Sequence, residues 1–148
     1  MNTDPEEHQL WCIVFIASTN KVLSTEGAKQ VLEAALADRT ELGLTGIIIY
    51  KNGKDLSLIE GPRAVVKSYF RLKAIHPVHH TIRKVYDGEI AARFFGEYPL
   101  AVKVIGRQFR KLDTFQAPEI QETFQFFLNN EHKASKAVLN FINSRTNV

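Results

Sequence analysis

The sequence predicts an α+β domain in which a sheet built in the order βαββαββ is followed by two further helices. Three observations carry that prediction. Short apolar runs rich in β-branched and aromatic residues recur along the chain, two amphipathic helical patterns separate them, and one Asn-Gly turn joins two of the runs.

The first run, Trp11 to Ala17, is almost wholly apolar and reads as a strand buried on both faces. After the loop STNKVLS, Ala28, Val31, Leu32, Ala35 and Leu36 recur at helical spacing. Ser24 and Thr25 are candidate caps there, and Glu26 lies near the positive helix end, so the first helix runs to about Arg39. Gly46 to Tyr50 is a second strand and Asp55 to Ile59 a third, joined by KNGK, where Asn52-Gly53 supplies the positive φ angles of a hairpin. Pro62 suits the first turn of a helix, in which Val65, Val66, Tyr69, Phe70 and the stem of Lys73 repeat at helical spacing before Pro77.

Thr81 to Tyr86 and Pro99 to Ile105 are expected to add two strands, with DGEIAARFFGEY as the loop between them. An antiparallel-rich sheet with two helices on one face is a ferredoxin-like arrangement. Ile120, Phe124, Phe127 and Leu128 then mark one amphipathic helix, and Ala137, Val138, Phe141 and Ile142 another, both suited to cover the open face. Phe124, Phe126 and Phe127 cannot all point inward from one helix, which leaves an aromatic residue for a partner or for the N-terminal segment. The organisation expected is an extension over 1–10, the sheet domain over 11–105, and a helical extension over 106–148 that packs on the sheet or in an oligomer interface.

A chain of 148 residues with 45% hydrophobic and 24% charged content fits one globular domain. It is long enough to bury roughly 70% of its unfolded surface without metals or disulfides. Cys12, inside WCIVFIA, is therefore read as a small core residue rather than a nucleophile. The polar start MNTDPEEHQ is unlike a signal peptide, and no apolar run approaches the ~20 residues that span a bilayer, so a cytoplasmic protein without membrane contact is expected. A formal charge of +3 is too modest to indicate nucleic acid. The tract GRQFRK offers Phe109 for stacking on a base but reads as a solvated connection.

Chemistry-bearing patterns are few. His76, His79 and His80 lack a Cys or carboxylate at ligand spacing, so no metal is expected there. GxxxxGK[ST], GxGxxG and GxSxG are all missing, and no base accompanies Ser57 in sequence. No Gly-rich anion loop with an Arg precedes the first helix, which leaves an acylphosphatase-like hydrolase without its anion site. The chain is expected not to be an enzyme.

Read together, TG before an apolar strand ending at Tyr50, a strand ending in IEGP, a helix, HH and RFFGEYPL give a recognisable series. From about Trp11 to Val102 the chain resembles a BLUF domain, the flavin-based blue-light sensor, and its tail helices resemble those of short stand-alone members. The resemblance implies an FAD held between the two helices flanking the sheet. Light would there rearrange hydrogen bonds among a first-strand Tyr, a third-strand Gln and the flavin.

Position by position, the Tyr is replaced here by Phe15 and the Gln by Ser57. The helix-one Asn at the flavin carbonyl edge corresponds to Arg39, and the Arg of the DxRH motif to Val78. His79 matches, His76 stands for the Asp, and Tyr98 and Leu100 stand for the late Trp and Met. Phe15 keeps the ring but not the phenol, and Ser57 has neither the reach nor the amide of Gln. The resemblance thus implies a degenerate FAD site with lost or altered photochemistry, and a homo-oligomer or a signalling protein as partner. Phe15, Leu100 and Val78 equally suit a pocket collapsed into core. That alternative is a light-independent interaction module binding no flavin.

Overall fold

The computed structural model describes residues 9–19, 25–51, 53–74, 79–105 and 120–144. Its elements are β1 (Leu10–Thr19), α1 (Thr25–Leu42), β2 (Thr45–Lys51), β3 (Lys54–Pro62), α2 (Arg63–Ala74), β4 (His79–Glu89), β5 (Ala101–Ile105), α3 (Ile120–Leu128) and α4 (Lys133–Asn143). The predicted order βαββαββ followed by two helices is the observed one. The sheet runs β4-β1-β3-β2-β5, antiparallel throughout except for the parallel pair β2/β5.

Antiparallel pairing of β3 with both β1 and β2 makes those two strands parallel, with α1 crossing between them. In the same way β3 and β4 flank β1 and are linked through α2. This is the ferredoxin-like plan, with β5 added at the β2 edge. Gly53, at φ 79°, supplies the left-handed residue of the β2–β3 turn.

Alternation along the strands sends side chains to two helical layers. Cys12, Val14, Ile47, Ile49, Leu56 and Leu58 form one core with Phe124, Phe127, Val138 and Phe141 of α3 and α4. Ile13, Phe15, Ile48, Tyr50 and Ile59 point the other way, to α1 and α2. The tail helices therefore cover the face opposite α1 and α2. Phe124 and Phe127 are buried, whereas Phe126 is 76% exposed.

Two details depart from the sequence reading. β4 extends through Asp87-Gly88-Glu89, which the charged residues and Gly had suggested was loop. It is an edge strand, where charged side chains are well tolerated and discourage pairing with other chains. On α1, Val31 and Leu36 are exposed, and the buried stripe is Ala28, Leu32, Ala35 and Arg39. The histidine-containing segment 75–78 and the tract GRQFRK lie outside the described residues, as does Ser24.

Lys51 ties the sheet to the tail. Its buried ammonium donates to the carbonyls of Phe141, Ile142 and Ser144 at 3.1, 2.5 and 2.7 Å. All three of its donors thus cap the negative end of α4, where carbonyls otherwise lack partners. Lys51→Met is expected to loosen α4 and cost about 2 kcal/mol. Hydrogen exchange of the α4 amides, with a thermal melt, checks this: faster exchange confined to α4 and neighbouring β2 is the expected pattern.

Candidate functional site

The α1/α2 face is not one continuous apolar layer. Ala28, Leu32 and Ala35 of α1 pack with Ile48, Tyr50, Leu100 and Val102. Separately, Val66 and Tyr69 of α2 pack with Ile13, Phe15, Leu44 and Ile59. Ser57 lies at the seam: on β3 it is paired with Phe15 of one cluster across β1 and with Ile48 of the other across β2.

Arg39 completes the seam. One turn beyond Ala35 on the buried stripe of α1, it is only 2% exposed. Its guanidinium reaches toward α2, with Cζ 5.9 Å from the Tyr69 ring centroid. It also passes over Gly46, where a Cβ would lie 3.4 Å from Nη1 and 1.9 Å from the Leu58 carbonyl oxygen. No residue other than glycine fits that position without moving backbone.

Arg39 Nε and Nη1 have no hydrogen-bond partner among the described residues. Burial pulls its pKa below the usual arginine value, opposed by Tyr69, Tyr50 and Glu60. A buried cation with two unused donors is a costly arrangement, and an acceptor brought by a ligand would relieve it. Tyr50 has its phenol pushed up by burial first and by Asp55 second. Asp55, opposite both Ala17 and Tyr50 in the sheet, is raised by burial to about 7.

The sign of the Asp55 effect follows directly. Its folded pKa lies above its unfolded value of 3.8, so its stabilising contribution is complete below that value and is lost as pH rises toward 7. Asp55→Asn removes this dependence. Relative to wild type, the variant is expected to gain about 4 kcal/mol between pH 4 and pH 8, read from denaturant unfolding at both values.

A second polar cluster holds the scaffold. Glu60, fully buried near the end of β3, accepts from Thr45 Oγ1 at 2.8 Å and from the backbone N–H groups of Phe94 and Phe95 at 2.8 and 2.7 Å. Arg93 Nη1 donates to the Gly43 carbonyl at 2.9 Å and to Thr45 Oγ1 at 3.1 Å. Gly43, at φ 71°, ends α1 in the left-handed conformation. The TG, EG and RFF segments are thus one joint between the α1–β2 turn, β3 and the β4–β5 connection.

Of the residues singled out by sequence, Phe15, Arg39, Ser57 and Leu100 come together on the α1/α2 face. Phe15 meets Phe70 edge to face, with centroids 5.1 Å apart. Tyr98 packs with the core on the opposite face, and its carbonyl accepts from the Gly46 N–H at 3.0 Å. Val78 and the side chain of His79 lie outside the described residues. Tyr50, Asp55 and Tyr69 had not been read as site residues, although Asp55, Ser57 and Ile59 share one face by simple alternation.

A family model described as BLUF, sensors of blue-light using FAD, matches residues 10–101. The chain belongs to the BLUF family. Among solved structures, the BLUF protein BlrB in its dark state is similar at 23% identity and a TM-score of 0.66, over 92% of this chain and 96% of that one. A BlrP1 BLUF structure matches at 17% identity and a TM-score of 0.70, over 91% of this chain and 90% of its own. BlsA in its photo-activated state matches at 14% identity and 0.65, over 94% and 99%. Klebsiella pneumoniae BlrP1 with FMN and cyclic diGMP is covered over only 34% of its length. No curated protein sequence matches the chain. At these identities the likeness to the solved structures speaks for the fold alone.

Proposed function

We propose that this BLUF domain binds a flavin, FAD by family, in the groove between α1 and α2, and that it lacks the family's hydrogen-bond photoswitch. The observation that carries the reading is Arg39: two guanidinium donors without a partner among the described residues are buried at the seam between the two helical clusters. The carbonyl edge of an isoalloxazine supplies the acceptors that this donor set wants, and Phe15, Tyr50 and Tyr69 supply aromatic surface beside it. A bound flavin would supply blue-light absorption. Phe15 and Ser57 then leave it without the phenol and the amide that a switch requires.

The domain on this reading is a non-enzymatic, cytoplasmic signalling module whose effect passes to a protein partner. Titrating the protein into FAD, FMN and riboflavin and following quenching of flavin fluorescence tests it. Saturable quenching with micromolar or tighter affinity is expected, and unquenched fluorescence at tens of micromolar protein contradicts it.

A second reading, the light-independent interaction module, is favoured by Phe126, exposed on α3 without a described neighbour to cover it. Sedimentation velocity of wild type and Phe126→Ser distinguishes a self-associating chain from a monomer.

A further inference from the structure

Arg39 is the one permanent cation buried on the α1/α2 face among the described residues. The polar groups that act on it are Tyr69 and Tyr50 on this face, with Glu60 acting from the next layer. The Glu60 carboxylate is committed to Thr45 and to the Phe94 and Phe95 N–H groups and makes no hydrogen bond to the guanidinium Nε or Nη1. A guanidinium is also a donor only: it can hold an acceptor or a negative charge but cannot accept from an N–H.

These properties discriminate between the redox states of a flavin. The oxidised ring is neutral, whereas the two-electron-reduced ring at neutral pH carries one negative charge on its N1–C2 carbonyl side. On the reading that a flavin occupies this groove, we infer that Arg39 makes the site prefer the reduced flavin over the oxidised one, so that occupancy or conformation responds to redox state instead of light. A neutral amide at the same position would see the two states with little difference. A fixed cation in a low-dielectric seam stabilises the anionic state selectively, the same way a charge near the ring tunes any flavin. The preference is a difference in binding between two states supplied from solution, and the chain itself transfers no electron.

The test is anaerobic titration of the full chain with oxidised FAD and with dithionite-reduced FAD, by calorimetry, in wild type, Arg39→Gln and Arg39→Lys. Wild type is expected to bind reduced FAD at least tenfold more tightly, equivalent to a midpoint potential raised by about 30 mV for a two-electron couple. Arg39→Lys keeps the preference, and Arg39→Gln brings the two affinities together, at whatever level it binds oxidised FAD. Equal affinity of wild type for the two states overturns the inference and leaves the flavin reading standing, with no variant needed. A preference that survives in folded Arg39→Gln also overturns it. Failure of wild type to bind either state overturns both.

Discussion

Glu60→Ala is expected to cost about 4 kcal/mol of folding stability and to lower the thermal midpoint by roughly 10 °C. The carboxylate is the shared acceptor of Thr45 Oγ1 and of two backbone N–H groups in the β4–β5 connection, and its removal takes away the acceptor of all three. Leaving buried donors unpartnered costs more than the bonds themselves contribute, which puts this substitution above a typical surface change by several-fold. Glu60→Gln keeps one oxygen for Thr45 and Phe95 but turns an NH₂ toward the Phe94 N–H, so about half the loss is expected.

The pH dependence adds a second check. Burial raises the Glu60 carboxyl above its usual range against the pull of Phe94, Phe95, Thr45 and Arg93. A group whose folded pKa exceeds its unfolded one stabilises most at low pH and gives this up as pH climbs through the folded value. The advantage of wild type over Glu60→Gln should therefore shrink as pH rises from about 4.5. Chemical denaturation at a series of pH values reads both the size and the slope.

The double variant Phe15→Tyr with Ser57→Gln is expected to create a reversible red shift of the bound flavin's absorption under blue light, where wild type shows none. Phe15 and Ser57 are direct cross-strand partners on β1 and β3, so the introduced phenol and amide fall side by side on the groove face. Each single change supplies one half of the hydrogen-bonded pair and should give no shift. Phe15→Tyr alone should also cost about 1 kcal/mol, because a phenol at a 3% exposed position lacks a partner until Ser57→Gln supplies the amide. If the double variant binds flavin but its spectrum ignores light, Arg39 has reshaped the seam as well, and adding Arg39→Asn is the next step.

Much of this architecture was legible because the physics behind it is local. Asn52-Gly53 between two apolar runs specified a hairpin, and period-two alternation in β1, β2 and β3 specified two buried faces and hence two helical layers. Residues whose roles depend on distant partners were harder to read. Val31 and Leu36 fit a helical pattern as well as Ala28 and Leu32 do, and only the packed sheet decides which stripe faces inward. Glu60 served as a mark of resemblance in IEGP, but its three donors come from segments 15 to 35 residues away. Arg39 was visible as the family's Asn position. Its place on the buried stripe follows from the spacing 28, 32, 35, 39, a charge where an apolar residue is due.

The visible absorption spectrum of the purified domain, taken after incubation with excess FAD and desalting, in darkness and again after blue light, tests the central claim most directly. A retained flavin band whose position and shape do not change on illumination is the predicted result. A reversible red shift would contradict the roles assigned to Phe15 and Ser57, and a protein emerging without a flavin band would contradict the flavin-binding role proposed for Arg39.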